Sequence, residues 1–181
     1  MSQQNSKASG WMNIWMKRGL FSALLWPLSL LFRLVVAFRR FAYKNRWFKS
    51  YRLPVPVLIV GNVFVGGTGK TPLVIWLVHI LRKAGFNPGV ISRGYGASND
   101  DPVLVTDHSK SDRAGDEPLL IVSKTGCPLV VCRNRVKAGL FLLSHHPEVD
   151  IIISDDGMQH YALARDVEIM LFDGRGGGNG W

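Results

Sequence analysis

Gly69-Lys70-Thr71, reached through Gly66 and Gly67 and followed by Pro72, has the residue types and spacing to hold a phosphate. Glycines let the chain curl until successive N–H groups point at one anion, a lysine adds a point charge, and a threonine hydroxyl can ligate a divalent cation. The apolar run Val57–Val60 precedes this segment and the helix-patterned stretch Thr71–Ala84 follows it, the strand–loop–helix context such a loop requires. The strict pattern asks for glycine at position 64, where this chain has Phe64, so the loop is a variant. Its nucleotide-binding residues are then Phe64, Val65, Gly66, Gly67, Thr68, Gly69, Lys70 and Thr71. Pro72 suits the first helical turn, where an N–H would have no partner.

Phosphoryl chemistry also needs carboxylates to hold a metal and orient an acceptor. The apolar run Val149–Ser154 ends in Asp155-Asp156-Gly157. Two adjacent carboxylates repel, and a divalent cation relieves the repulsion; a plain turn is the alternative, since Asp and Gly both form turns. Asp116-Glu117-Pro118 follows Gly115 and opens a helix, where capping and chemistry explain Asp116 equally well. His79 lies in an apolar helix and reads as a core or edge residue, and His145-His146 as a helix end. Cys127 and Cys132 border an apolar run and read as buried free thiols in a reducing compartment, which excludes a disulfide scaffold.

These residues need a scaffold, and the chain alternates short apolar runs with helical segments. Val57–Val60, Gly89–Ser92, Val103–Thr106, Leu129–Cys132, Val149–Ser154 and Val167–Phe172 read as strands; Thr71–Ala84, Glu117–Lys124 and Asn134–His145 read as helices. Several strands are continuously apolar, as expected where both faces are covered. The pattern predicts a doubly wound α/β domain, P-loop NTPase-like, with three α/β/α layers and a mostly parallel sheet. Ligands would sit at the C-terminal ends of the strands.

The 181 residues suffice for one ordinary domain, and 47% apolar content excludes a disordered chain. The net charge of +9 is unevenly placed: residues 1–52 hold ten Lys and Arg and no acid, while the other 129 hold twelve against thirteen acids. We therefore divide the chain into a basic, Trp-rich leader, 1–52, and a body, 53–181. Gly19–Phe32 carries no charge; Arg33 and a second apolar run, Leu34–Phe38, follow, then Arg39, Arg40, Lys44, Arg46, Lys49 and Arg52. On a helix Leu24, Leu28, Leu31, Val35 and Phe38 share one face, and Ser22, Ser29, Arg33, Arg40 and Lys44 another. A cleavable signal lacks a small-residue cleavage site, and a nucleic-acid arm would not explain the Leu and Trp content. A helix capping the domain's own core remains an alternative to the favoured reading, a membrane-associated helix with Trp11, Trp15, Trp26 and Trp47 at the interface and the basic flank toward the cytoplasm. Whether it spans or lies flat is open at this level.

The motifs taken together resemble one family. Gly-Asn-x-x-x-Gly-Gly-Thr-Gly-Lys-Thr-Pro (61–72), Ser-Arg-Gly-Tyr-Gly (92–96), Gly-Asp-Glu-Pro (115–118), Asp-Asp-Gly-Met-Gln-His (155–160) and Arg-Asp-x-Glu-Ile (165–169) occur in the order seen in tetraacyldisaccharide 4′-kinases of lipid A synthesis. That family's phosphate loop also lacks the strict first glycine. The resemblance implies transfer of the ATP γ-phosphate, with Mg²⁺, to the 4′-hydroxyl of an acylated disaccharide 1-phosphate at the cytoplasmic face of the inner membrane, forming lipid IVA. It implies Asp116, Lys70 and Asp156 as catalytic, Thr71, Glu117 and Asp155 as metal-facing, and Arg93, Tyr95, Arg135 and Gln159 as substrate-binding. Neither nucleic acid nor an obligate protein partner is expected. The family's chain continues past the equivalent of Gly180 into a second domain, so this chain reads as an N-terminal portion. Two rivals are a membrane-bound P-loop ATPase or GTPase switch, with water as acceptor, and a nucleotide-binding fragment or adaptor without catalysis.

Overall fold

A computed structural model describes residues 26–45, 47–62, 69–94, 101–106 and 108–172. The chain falls into two units, Met1–Phe48 with Asp173–Trp181, and Lys49–Phe172. The first contains helix α1, Trp26–Lys44. Leu28, Leu31, Phe32, Leu34, Val35 and Phe38 are all exposed on it. Trp47 meets Phe38 and Phe41 edge-on at 6.2 and 5.7 Å between ring centroids. Among the described residues no helix is long and apolar enough to cross a membrane.

The second unit begins four residues earlier than the sequence suggests. The Tyr51 N–H donates to the Ala162 carbonyl at 2.7 Å, and the Tyr51 carbonyl accepts from the Ala164 N–H at 2.9 Å. Arg52, the last cation of the basic leader, pairs with Asp166 at 2.7 Å. This unit runs β1 (Val57–Asn62), α2 (Lys70–Lys83), β2 (Pro88–Ser92), β3 (Val103–Val105), α3 (Ser111–Ala114), α4 (Asp116–Thr125), β4 (Leu129–Val131), α5 (Arg135–His145), β5 (Ile151–Asp155) and β6 (Val167–Leu171). The one-turn α3 has no counterpart among the expected helices, because a single turn shows no periodicity.

The six strands form one sheet in the order β3-β4-β2-β5-β1-β6. All neighbours run parallel except β3, which pairs antiparallel with β4 at the edge. Alternation of side chains sorts the core into two layers. Leu58, Val60, Val90, Leu129, Val131 and Ile153 pack with Val74, Leu77 and Val78 of α2 and Ile121 and Val122 of α4. Val57, Ile59, Ile91, Val130, Cys132 and Ile152 pack with Ala138 and Leu142 of α5 on the other face. Covered strands of this kind read as unbroken apolar runs, which made them visible in the sequence. Cys127 and Cys132 are buried and not joined in a disulfide, as expected.

Because α2, α4 and α5 each feed a strand parallel to β1, all three helix N-termini lie along the sheet's C-terminal edge. Their partial positive charges collect on that side.

Candidate functional site

The site grows from the paired ends of β1 and β5. Val60 lies in register with Asp155, and the Asp156 N–H donates to the Val60 carbonyl at 2.9 Å. Beyond Val60 the chain passes through Gly61 and Asn62 toward Gly69, whose φ of +80° sets it in the left-handed region as the N-cap of α2. Glycine takes that conformation without a Cβ clash. Gly69 offers no side chain to cap this helix, and Lys70 and Thr71 form its first turn at the sheet edge.

Asp156 is the one described non-glycine residue with positive φ, 53°. Aspartate tolerates this region better than most residues. The turn there places Asp156 Oδ1 3.2 Å from Lys70 Nζ. Asp155, one residue earlier, is only 4% exposed. Its Oδ2 accepts a hydrogen bond from the Ser92 hydroxyl at 3.3 Å, and its buried Oδ1 has no hydrogen-bond partner among the described residues. Burial raises the Asp155 pKa above the ordinary carboxylate value; Lys70 opposes this, Glu117 and Asp156 add to it, and the Ser92 hydroxyl lowers it. Glu117, on the first turn of α4, is thus close enough for its charge to be felt at the end of β5.

A buried, unpartnered carboxylate oxygen with further acids around it fits a hard cation with oxygen ligands. No group of three His, Cys, Asp or Glu poised for a metal occurs among the described residues. Mg²⁺ does not need one, because it usually keeps waters and takes one or two carboxylates plus phosphate oxygens. Asp155 and the Thr71 hydroxyl suit that role.

Asp116 opens α4 directly after Gly115, which takes the N-cap position with φ 86° and ψ 152° and supplies no side-chain bond. Gly115, not Asp116, holds the cap position; Asp116 is an exposed acid of the first turn, where its charge also suits the helix N-terminus. Arg93 is exposed at the end of β2, and Gln159 is exposed two residues beyond the acidic turn. Phe64, Val65, Gly66, Gly67, Thr68 and Tyr95 lie outside the described residues.

Arg135 departs from its expected role. It is 1% exposed, and its guanidinium donates to the Cys132 carbonyl at 2.8 Å and the Asp155 carbonyl at 3.1 Å. With both terminal nitrogens bonded to interior carbonyls and Nε unpartnered among the described residues, it braces the acidic turn from beneath. Burial pulls its pKa down to about 10, against the opposing pull of Asp155 and Asp156, with nearby Arg93 lowering it further. Ser92 was the residue missed as a site member; a hydroxyl ending a wholly apolar strand was its signal.

Known proteins resemble this chain over most of its length. The sequence model described as tetraacyldisaccharide-1-P 4′-kinase (LpxK) matches residues 21–181. The tetraacyldisaccharide 4′-kinase of Janthinobacterium sp. (strain Marseille) is 60% identical over 167 residues, covering 92% of this chain and 48% of that protein. That of Herminiimonas arsenicoxydans is also 60% identical over 167 residues, covering 92% and 47%. The crystal structure of LpxK from Aquifex aeolicus in complex with ATP superposes with a TM-score of 0.74 at 32% identity, covering 86% of this chain and 50% of that one. The chain thus spans about half the length of the curated relatives it matches.

Proposed function

The chain belongs to the tetraacyldisaccharide-1-P 4′-kinase family, and from that premise we propose that its sheet edge binds ATP and passes the γ-phosphate to the 4′-hydroxyl of a tetraacyldisaccharide 1-phosphate. One observation carries this reading: Lys70 Nζ stands 3.2 Å from Asp156, beside the buried Asp155, whose Oδ1 has no hydrogen-bond partner among the described residues, at the N-terminus of α2. Cationic phosphate-binding groups and metal-binding acids converge there.

In the transfer, the acceptor oxygen forms a bond to the γ-phosphorus, the bond from that phosphorus to the bridging oxygen breaks, and ADP leaves. Asp116, exposed on the first turn of α4, accepts the hydroxyl proton. Lys70 and the first N–H groups of α2 stabilise the charge spread over the phosphate oxygens. Gln159 and Arg93 face the acceptor sugar. Asp155 and Thr71, with Glu117 nearby, would hold Mg²⁺, which when bound neutralises phosphate charge.

The membrane placement belongs to the same proposal. Exposed Leu28, Leu31, Leu34, Val35 and Phe38 on α1, with Arg33 and Arg39 on the same helix, suit a helix lying at a cytoplasmic-leaflet surface, where a multi-acylated substrate resides. The test is transfer of label from γ-labelled ATP to the acylated disaccharide phosphate in detergent, using the full-length protein. Label in the lipid, lost in Lys70→Ala, supports the reading. Nucleotide hydrolysis without labelled lipid favours a switch with water as acceptor.

A further inference from the structure

We infer that Arg165 is a positioning residue that fixes the loop presenting Gln159, an assignment that rests on the kinase reading only for its effect on catalysis. The Arg165 guanidinium donates through one nitrogen to the Met158 carbonyl at 3.1 Å and through the other to the His160 carbonyl at 3.1 Å. These two carbonyls flank Gln159. The first nitrogen also reaches Glu168 Oε1 at 2.7 Å, and the guanidinium carbon lies 5.3 Å from the centre of the Tyr161 ring. The Arg165 side chain is 15% exposed, so it is held within the loop rather than extended into solvent.

The anchor behind this clamp is the sheet itself. Glu168 lies on β6 in register with Ile59 of β1. On the other side of the loop, Met158 covers Gly61, where an added Cβ would come within 2.4 Å of both Met158 Cγ and Sδ. Gly61 is the next-to-last residue of β1, the strand that leads to the phosphate loop. Arg165 therefore ties β6, the Gln159 loop and the root of the phosphate loop into one frame. A planar guanidinium can bond two carbonyls and a carboxylate at once, whereas an ammonium cannot reproduce that fork. The Arg-Asp-x-Glu spacing is thereby explained. Arg165 and Glu168 form the clamp, while Asp166 between them accepts from the Val57 N–H at 2.9 Å and pins the start of β1.

The test uses the full-length protein carrying Arg165→Gln, Arg165→Lys, Gln159→Ala and the Arg165→Gln/Gln159→Ala double change. If the clamp positions Gln159, Arg165→Gln raises the KM for the acceptor lipid by about tenfold, leaves the KM for ATP within about twofold, and adds little to Gln159→Ala. Arg165→Lys rescues only a minor part. Amide exchange across residues 158–164 quickens by about tenfold or more in Arg165→Gln. An unchanged acceptor KM with unchanged exchange, or effects that simply add to those of Gln159→Ala, overturns the assignment. Where Arg165→Gln does not fold, Glu168→Gln is judged by the same criteria. A wild-type protein that phosphorylates no lipid defeats the kinase reading instead, and the exchange rates alone then decide the clamp.

Discussion

Lys70 and Asp156 meet at 3.2 Å where β1 and β5 end, the lysine largely sheltered and the aspartate half exposed. Under the proposed function, a phosphate entering this site would compete with Asp156 for the ammonium, and the pair would hold Lys70 in place until then. Lys70→Ala should lower lipid phosphorylation by about a hundredfold or more. Asp156→Asn should also slow transfer, yet change stability by less than about 1 kcal/mol, because an ion pair this exposed contributes little. Steady-state kinetics and thermal unfolding of the two variants check both statements.

Asp155 should show function opposing stability. Burial raises its pKa in the folded state, so the fold holds that proton more tightly than the unfolded chain does. The resulting stability is complete below the unfolded carboxylate value of about 4 and is lost as pH rises through the folded value. In metal-free buffer at pH 7, Asp155→Asn should therefore raise the Tm, with the gap narrowing as pH falls toward about 4. The same change should reduce turnover by about a hundredfold, since a metal-facing oxygen is lost. Thermal scans across pH, paired with transfer assays, provide the comparison.

Arg135 should behave as structure. Its guanidinium satisfies the carbonyls of Cys132 and Asp155 in the interior, so Arg135→Met leaves both without that donor. A loss of about 2–4 kcal/mol is expected from urea unfolding. Lysine should recover only part, because one ammonium does not copy a two-nitrogen fork.

At the opposite end of the sheet, Asp166 receives the Val57 N–H and Arg52. Both bonds hold its carboxyl below the ordinary range, the backbone bond more strongly. Its contribution is present above the unfolded carboxylate pKa and disappears as pH falls through the lower, folded value. Asp166→Asn should therefore lower the Tm at pH 7, and the difference should close below about pH 4.

Much of this arrangement was legible in the chain because local and global signals agreed. The apolar runs ending at Val60, Ser92 and Ser154 marked covered parallel strands, and Gly-Lys-Thr marked the turn into α2. What escaped reading depended on contacts distant in sequence. The family resemblance implied Arg135 as a substrate-binding residue; only the fold shows it buried beneath Asp155. Ser92 acquired its role when β2 came to lie beside β5. Arg52 looked like part of a basic leader until Asp166, 114 residues later, met it.

The most direct test is calorimetric titration of the folded, full-length protein with ATP, with and without Mg²⁺. The account predicts saturable binding, weaker by about tenfold or more when Mg²⁺ is removed and weaker again in Lys70→Ala. Absence of binding to the wild-type protein, or equal affinity in Lys70→Ala, would contradict it.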